Sequence, residues 1–360
     1  MSEFLTHVRA LCIKETRQII RDKSAILLGI VLPVILIFLF GFGLSFDVQN
    51  IRLGIVKEQS SQTTTLYTQA FIANTTFDDV SVYPSRVRAL RALNRFEIEA
   101  VVIFDTNQKA QLIIDGLDAP RATMVTNVVT QTMASAIAAQ GITMSGVQIV
   151  PRIWFNEGAE SRWYLVPGLM VIILTMTGTM LTGLVIAREW ERGTMEALLA
   201  TPVSAMALIA SKTIPYFLLA MVGWLLCLLS AIFVYEVPIR GSLLLITLSS
   251  VIYLFFCLGL GLIISAVTRS QFLSSQITLL ASFLPALLLS GFIFDLRSAP
   301  VWADIVAHLL PPVYYLELLK VGFLTGGMTS LMIKDLIILI FFATLTLVMS
   351  VKLNQKRVRK

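Results

Sequence analysis

The sequence predicts an α-helical polytopic membrane protein, with six transmembrane helices and a small α/β extracytoplasmic domain. Of its 360 residues, 56% are hydrophobic and only 14% are charged, whereas about a quarter of the residues of an average soluble protein are charged. The apolar residues are concentrated in runs of roughly 20, which is the length that crosses the hydrocarbon core as a helix. A long polar segment separates the first two runs. This pattern excludes a soluble enzyme, a disulfide-rich secreted module and a disordered protein.

The apolar runs place the six predicted spans at residues 25–46, 163–187, 213–234, 241–268, 271–294 and roughly 331–351. The last run is the weakest, because Lys334 and Asp335 near its start are expected at the membrane interface. The first run is longer than the ~7–15-residue apolar core of a signal peptide, and we interpret it as a permanent anchor. The predicted organisation is an interfacial helix (1–24), span 1 (25–46), the extracytoplasmic domain (47–162), spans 2–6 (163–353) with a loop at 188–204 and an outer re-entrant hairpin at 295–330, and a basic tail (354–360).

Basic residues near the span ends predict that both termini lie in the cytoplasm of a cell-membrane protein. The residues that carry this signal at the two ends are Arg9, Lys14, Arg17, Arg21 and Lys23, and Lys352, Lys356, Arg357, Arg359 and Lys360. The loop with Arg188, Arg192 and Lys212 and the turn at Arg269 are cytoplasmic in the same topology. The segment 47–162 then faces outward. The net charge of +6 is explained by these loops, and no nucleic-acid partner is expected.

Residues 2–23 have the spacing of an amphipathic helix. Its basic side carries Lys14, Arg17 and Arg21, and its apolar side is formed by Phe4, Val8, Leu11, Cys12 and Ile19. Such a helix is either a membrane-surface anchor, with its basic face toward anionic lipid, or a contact with a cytoplasmic partner.

The outward segment contains short Ile- and Val-rich runs at 51–56, 100–104 and 111–114, which predict buried strands. Helical spacing is found at 86–96 and 122–139. Strands that alternate with helices favour a small α/β domain. Three arginines on one helix face form either a solvated face or an anion site; they are Arg88, Arg91 and Arg95.

Residues 302–310 and 313–324 are too short to span and are separated by Pro311 and Pro312. We expect two half-helices at the outer interface, where aromatic side chains form a belt. The candidates for that belt are Trp302, Tyr314 and Tyr315.

Several chemical signatures are missing from the sequence. It contains neither a G-x-x-x-x-G-K-[ST] nucleotide-binding loop nor an H-E-x-x-H or C-x-x-C pattern, and its two histidines, His7 and His308, are far apart. We therefore assign no catalytic residue, metal site or cofactor. Spans 1–5, as placed above, hold no charged residue, although ion-coupled transporters usually carry such residues inside the membrane. Energy for uphill transport would have to come from another chain.

The loop 188–204 has a helical pattern of its own. Gly193 allows a sharp turn, Thr194 is a predicted N-cap of a helix over 195–200, and Glu196 suits the first turn. Thr201 and Pro202 form a second helix-start pattern before span 3, with Thr201 as the predicted N-cap and Pro202 at the first helical position. Met195, Leu198 and Leu199 lie on one side. The loop either seats in a groove of a cytoplasmic partner or is a simple surface loop.

The run REWERGTMEALLATPVS at 188–204 resembles the signature of the permease subunits of type 2 ATP-binding-cassette (ABC) exporters. The resemblance extends over nearly the whole chain, through Asn156 and the motifs VPG (166–168), KTIPY (212–216), VPIRGS (237–242), GLGLIIS (259–265), SGFIF (290–294) and LPPVYY (310–315). Asp295 departs from the proline that is more usual there.

This resemblance implies a non-enzymatic half-transporter of the drug and multidrug export subgroup. Two permeases, identical or sister subunits, would pair above two cytoplasmic ATPases that bind ATP, sometimes with a periplasmic membrane-fusion adaptor. The residues that it implies in ATPase coupling are Arg188, Glu189, Glu191, Arg192, Gly193, Thr194, Glu196, Leu198, Thr201 and Pro202.

Three functions compete at this point. The first is an ATP-driven permease that exports an amphipathic or hydrophobic, drug-like or lipid-like substrate along uncharged faces of spans 1, 2 and 5. The second is a membrane-anchored scaffold or sensor whose outward domain binds a ligand or an envelope partner. The third is an ion-coupled carrier, which an essential Lys334 or Asp335 would favour. No residue is assigned to substrate binding.

Overall fold

The computed structural model describes residues 2–43, 51–58, 62–95, 97–104, 110–114, 119–139, 161–293, 296, 300–325 and 329–355. The chain divides into two compact units. The first contains Met1–Leu44 and Trp154–Lys360, and the second contains Ser45–Ile153.

Six helices of the first unit are long and apolar enough to cross a membrane. Spans 1 to 6 are, in order, Lys23–Gly43, Arg162–Glu191, Ala205–Phe233, Leu243–Thr268, Gln271–Leu288 and Met332–Leu353. Together with a small four-stranded sheet, these helices confirm the predicted fold class. Span 2 is the central helix, with 83% of its apolar window buried, whereas spans 1, 5 and 6 bury only 28%, 22% and 22%. Those three spans therefore leave large apolar faces for lipid or for a second chain.

The first unit begins with α1 (Ser2–Arg21), followed by span 1, which consists of α2 (Lys23–Ile26), a π-helical stretch (Leu27–Val31) and α3 (Leu32–Gly43). The apolar side of α1 packs along span 3 of the same chain. There the Cys12 thiol lies 3.6 Å from the carbonyl oxygen of Ser211. The apolar side of α1 is therefore covered by span 3 and does not face the membrane surface.

Span 3 is α10 (Ala205–Phe233), and it begins well before the predicted residue 213. Its N-cap is Ser204, whose hydroxyl oxygen accepts a hydrogen bond from the Ala207 amide at 3.2 Å. Lys212 consequently lies inside the helix and is 1% exposed. The assignment of Lys212 to a basic loop is thus wrong, because a charged residue truncated the apolar run that marks the span.

Span 2 is interrupted at Leu184, between α7 (Ser161–Gly183) and α8 (Val185–Glu191). The break leaves backbone N–H groups at the start of α8, and such groups are costly in an apolar environment when they lack an acceptor. Ser265 of span 4, which is α11 (Leu243–Thr268), supplies that acceptor. Its hydroxyl oxygen accepts hydrogen bonds from the amides of Ile186 and Ala187 at 3.0 and 2.8 Å. The hydroxyl of Ser265 thereby fixes α8 against span 4.

Between span 5, which is α12 (Gln271–Leu288), and span 6 lie α13 (Val301–His308), α14 (Pro311–Lys320) and a π-helical stretch (Val321–Thr325). The two prolines begin α14 instead of only preceding it, since proline suits the first helical positions. Asn156, Phe294 and Asp295 lie outside the described residues.

The aromatic-belt prediction is wrong for two of its three residues. Trp302 is exposed, but Tyr314 is buried and Tyr315 is completely buried. The ring of Tyr315 stacks on Tyr253 of span 4 with the centroids 4.1 Å apart, and its hydroxyl group lies 2.7 Å from that of Ser250. A tyrosine whose hydroxyl group finds a partner inside the protein is no longer an interfacial residue.

Span 6 belongs to α15 (Thr329–Leu353), which contains Lys334 and Asp335. Asp335 is 3% exposed, and its carboxyl group lies beside that of Glu317 on α14. Its surroundings are therefore protein rather than a solvated rim.

The second unit contains one sheet of strand order β2-β1-β3-β4. The strands are β1 (Ile51–Lys57), β2 (Phe77–Tyr83), β3 (Ala100–Phe104) and β4 (Ala110–Ile114). β1 pairs parallel with β2 and β3, and β3 pairs antiparallel with β4. The helices are α4 (Gln62–Ala73), α5 (Arg86–Asn94) and α6 (Ala119–Ala139). Apolar clusters on both faces of the sheet, one with Phe71 and Val125 and the other with Ala89 and Leu93, complete its core.

The sequence predicted β1, β3 and β4 but neither β2 nor α4. β2 lies at the edge of the sheet and carries the exposed residues Asp78 and Asp79. These aspartates interrupt the run of apolar residues by which a strand is predicted. The side chains of Arg88, Arg91 and Arg95 are all exposed, as both interpretations of that helix face require.

Candidate functional site

The loop that follows span 2 contains a short helix, α9 (Thr194–Ala200). Gly193 precedes it with φ of +69°, a left-handed conformation that glycine adopts without the strain other residues incur. α8 and α9 are thus two short helices joined by a turn at Arg192 and Gly193.

The predicted caps of this loop need two corrections. Gly193, not Thr194, is the N-cap, and the Thr194 hydroxyl instead donates to the carbonyl oxygen of Glu189 at 3.3 Å. Thr201 ends α9, donating its hydroxyl to the Leu198 carbonyl oxygen at 2.5 Å, so neither Thr201 nor Pro202 begins span 3. The left-handed turn at Gly193 determines where α9 begins, and the serine cap at Ser204 determines where span 3 begins.

The side chains of α9 divide into an inner and an outer set. Met195 is 1% exposed and Leu198 is half-buried. Part of the predicted apolar side of α9 therefore packs within the chain and is not available to a partner. The side chain of Leu199 lies outside the described residues. The outer set is exposed and consists of Thr194, Glu196, Ala197 and Ala200. Arg192 and Gly193, in the turn before α9, are exposed as well. The exposed side chains of α9 are therefore small apart from that of Glu196, the one charged residue of the helix.

Behind α9, four charged residues from three helices form what we call the ion cluster: Lys14 and Glu15 of α1, Glu189 of α8 and Lys212 of α10. The Lys212 ammonium group donates to Oε1 of Glu189 at 2.8 Å and to Oε1 of Glu15 at 3.1 Å. The Lys14 ammonium group lies 3.1 Å and 3.2 Å from the same two oxygens. Two cations thus face two carboxylates, and the cluster is neutral.

Burial makes the ion cluster sensitive to the loss of any member. The side chains of Lys212 and Glu15 are 1% and 3% exposed, while that of Lys14 is 47% exposed. Partial burial alone would lower the pKa of Lys14, but the carboxylates of Glu15 and Glu189 outweigh it and raise that pKa. Lys14 therefore stays charged, and the cluster fastens α8 to α1 and α10.

Two further contacts fix the remaining charges of α8. The guanidinium group of Arg188 donates to Oδ2 of Asp22 at 2.5 Å, and this hydrogen bond overcomes the effect of burial and lowers the pKa of Asp22. The carboxylate of Glu191 accepts from the backbone amide of Gln271 at 2.6 Å and also from its side chain. α8 is consequently connected to the start of span 1 and to the start of span 5.

The turn between spans 4 and 5 contacts the same helix. Arg269 adopts φ of +52° at the end of span 4. Its guanidinium group lies 4.4 Å from the ring centroid of Trp190, a geometry that favours a cation–π interaction. The predicted cytoplasmic turn therefore contributes a contact to α8 that the sequence did not indicate.

The structure brings together some of the predicted coupling residues and separates the others. Arg188 and Glu189 are shielded from solvent and paired, and Glu191 is exposed but paired with Gln271, whereas Arg192, Thr194 and Glu196 are exposed. Sequence analysis did not identify Glu15, Asp22 and Gln271 as their partners. Glu15 did leave a signal, because it falls between Cys12 and Ile19 on the apolar side of α1, where an unpaired carboxylate is not expected.

Comparisons with known proteins agree with this architecture. A family model described as ABC-2 family transporter protein matches residues 23–352. The "Probable multidrug ABC transporter permease YbhS" of Escherichia coli (strain K12) is 36% identical over 354 residues, which cover 94% of each chain. The "Probable multidrug ABC transporter permease YbhR" of the same strain is 27% identical over 321 residues, or 85% of this chain and 87% of that one.

A third relative is more distant. The "ABC transporter G family member 20" of Dictyostelium discoideum is 25% identical over 334 residues, which cover 86% of this chain and 45% of the relative. The family model reaches from the first residue of span 1 almost to the end of span 6. This chain is therefore a multi-pass membrane protein that belongs to the ABC-2 family of transporter permeases.

Proposed function

We propose that the chain is the permease subunit of an ATP-driven exporter and that α9 is the helix on which a separate cytoplasmic ATPase docks. In this proposal the protein lies in the inner membrane with both termini in the cytoplasm. ATP is bound and hydrolysed by the partner.

The observation that carries the proposal is the contrast between the exposed surface of α9 and the firm attachment of α8. The outer residues Thr194, Glu196 and Ala200 have no cover within the described chain. α8, one turn away, is held by Lys14, Lys212 and Gln271. A partner that displaces α9 therefore moves α8, and with it α1 and the ends of spans 3 and 5.

Such a displacement would switch the permease between inward- and outward-accessible states. We propose a substrate that is amphipathic or hydrophobic, drug-like or lipid-like. Relatives carry the name multidrug permease, and the apolar side chains of the spans suit such a molecule. The low burial of spans 1, 5 and 6 supports pairing with a second permease, identical or a sister subunit. The unit Ser45–Ile153 is the proposed site for a periplasmic adaptor.

Affinity purification of the tagged protein from native membranes tests the docking site. Wild-type protein is expected to bring a Walker-motif ATPase with it, and Glu196→Arg is expected to lose that ATPase while inserting normally. Glu97→Arg is the matched control, because it reverses a carboxylate that is also exposed and lies in the other unit.

Each outcome separates the competing functions. Equal recovery of the ATPase with Glu196→Arg and with wild type would contradict docking on α9. Complete absence of an ATPase from wild-type preparations would favour a scaffold or sensor, whose ligand would then be sought on the second unit.

A further inference from the structure

Next to the ion cluster, the first unit contains a cleft of about 750 Å³ whose described lining residues are all polar or charged. We call it the basic cleft, because its charged residues are Lys14, Arg17, Arg21, Arg188, Arg192 and a single acid, Asp22. Five cations thus surround one carboxylate.

The charges of the basic cleft are only partly balanced by the protein. Lys14 is paired in the ion cluster, and Arg188 is paired with Asp22. Arg17, Arg21 and Arg192 are exposed and make no ion pair with any other described residue. Arg17 and Arg21 lie one helical turn apart on α1, a spacing at which like charges repel. Three guanidinium groups that line one cleft without forming an ion pair there offer a site for an anion with several oxygens, and phosphate matches the fork of arginine best.

The position of the basic cleft indicates where that phosphate comes from. Its wall includes Ser24 at the start of span 1 and Gln271, the first residue of span 5. Arg192 directly follows the last residue of span 2. Three spans therefore begin or end at the cleft, which places it at the level of lipid headgroups.

The surface of α1 beside the cleft also favours lipid over a soluble anion. Ile13 and Ile20 are 44% and 68% exposed, and they flank Arg17 at helical spacing. Exposed isoleucines next to arginines are typical of an interfacial helix that buries apolar side chains among acyl chains and holds its guanidinium groups at the phosphates.

We infer that the basic cleft binds the phosphate of an anionic phospholipid, which connects Arg17 and Arg21 of α1 with Arg192 at the turn before α9. The bound lipid holds the N-terminal helix against the α8–α9 turn. The inference does not depend on export.

The test measures lipid binding to the purified full-length chain in nanodiscs of phosphatidylcholine, into which phosphatidylglycerol is titrated. Wild-type protein is expected to be stabilised against thermal unfolding by phosphatidylglycerol. The variant Arg17→Gln/Arg21→Gln/Arg192→Gln is expected to bind about a hundredfold more weakly, since each of the three basic residues near an anionic surface contributes about a factor of five. The matched control is Arg86→Gln/Arg88→Gln/Arg91→Gln, which removes the same charge from exposed positions of the second unit and should bind as wild type does.

Two additional arms keep the inference falsifiable. The variant Arg17→Lys/Arg21→Lys/Arg192→Lys keeps the charge but loses the guanidinium forks, and it is expected to bind more tightly than the glutamine variant and more weakly than wild type. This order distinguishes the loss of a phosphate site from a misfolded protein. Equal phosphatidylglycerol affinity in the glutamine variant and the control would overturn the inference. Stabilisation by inorganic phosphate alone, without further stabilisation by the lipid, would also overturn it, because the site would then take a soluble anion.

Discussion

Helices α8 and α9 each contain seven residues and follow one another in the chain, yet their charged residues lie in opposite environments. In α8, Arg188, Glu189 and Glu191 are all paired with other helices. In α9, Glu196 is the one charged residue and it is exposed. A two-residue turn, Arg192 and Gly193, separates the two, and the glycine has positive φ.

The comparison teaches that one sequence motif contains two different kinds of site. The α8 half acts through rigidity, because all three of its charges are paired with other helices and the side chains of Arg188 and Glu189 are largely shielded from solvent. The α9 half is external and acts through its surface. Variants of the first half should therefore reduce stability, and variants of the second half should reduce partner binding without reducing stability.

The largest effect is expected for Lys212→Met, on the α8 side. The variant leaves Glu15 and Glu189 buried without their main cation, and breaking a buried ion pair in this way costs about 3–5 kcal/mol. Denaturant unfolding of the purified protein should show a loss of that size. Lys14→Met serves as the control and should lose much less, since Lys14 is 47% exposed and exposed pairs contribute about 0–1 kcal/mol. Equal losses in the two variants would show that the cluster is not centred on Lys212.

A smaller effect is expected for Arg188→Gln, which removes the partner of Asp22. Hydrogen bonds to charged groups contribute about 1.5–3 kcal/mol, so the free energy of unfolding at neutral pH should fall by about that amount. Because Arg188 lowers the pKa of Asp22 in the folded state, this stabilisation is present above the unfolded pKa of about 4 and is lost as the pH falls below it.

The pH dependence provides the check on that prediction. The difference in stability between wild type and Arg188→Gln should shrink as the pH is lowered from about 5 to 3, as Asp22 becomes protonated. A difference that stays constant over this range would mean that Arg188 stabilises the protein through packing and not through Asp22.

The turn between the two helices should respond to Gly193→Ala. A Cβ atom at this position meets no neighbour within 4 Å, so the cost is the left-handed backbone conformation alone, about 1 kcal/mol. Gly43→Ala is the matched control, because its Cβ atom also meets nothing within 4 Å and no positive φ is recorded there. Thermal unfolding should separate the two variants. A control that loses as much as Gly193→Ala would argue against strain at the turn.

The smallest effect is expected far from both helices, for Asp335→Asn. Two neighbouring carboxyl groups repel when both are charged, so a neutral amide beside Glu317 removes no favourable charge pair. The free energy of unfolding should stay within about 0.5 kcal/mol of wild type, and the rate of ATP-dependent export should stay within about twofold. Export by the variant in proteoliposomes that contain the ATPase measures this. Loss of export with normal stability would instead favour an ion-coupled carrier.

Much of the fold is predictable because hydropathy and chain length determine it. Five spans were located to within a few residues at their starts, and β3 was located at its observed bounds. Span 3 was truncated because Lys212 interrupts its apolar run, although its charge is neutralised by residues that are far away in sequence. β2 was missed because it is an edge strand in which Asp78 and Asp79 are consecutive, so the two aspartates interrupt the hydrophobic pattern on both faces.

The candidate site was predictable where it depends on local chemistry and unpredictable where it depends on contacts. The short helix and the turn at Gly193 follow from neighbouring residues. The partners of Glu189 come from positions 14 and 212, and no local pattern indicates a contact over such separations. The resemblance to a family identified the loop, but only the structure separates its inner from its outer residues.

The most direct test of the proposed docking surface is site-specific photo-crosslinking along α9 in native membranes. A photoreactive amino acid is introduced at Glu196 or Ala197, which are exposed, and at Met195, which is buried; Glu97 of the second unit is the control. We expect crosslinks to a Walker-motif ATPase from positions 196 and 197 and none from positions 195 and 97. Crosslinks of equal yield from 195 and 196, or none from the exposed positions, would contradict the conclusion that the outer face of α9 is where the ATPase binds.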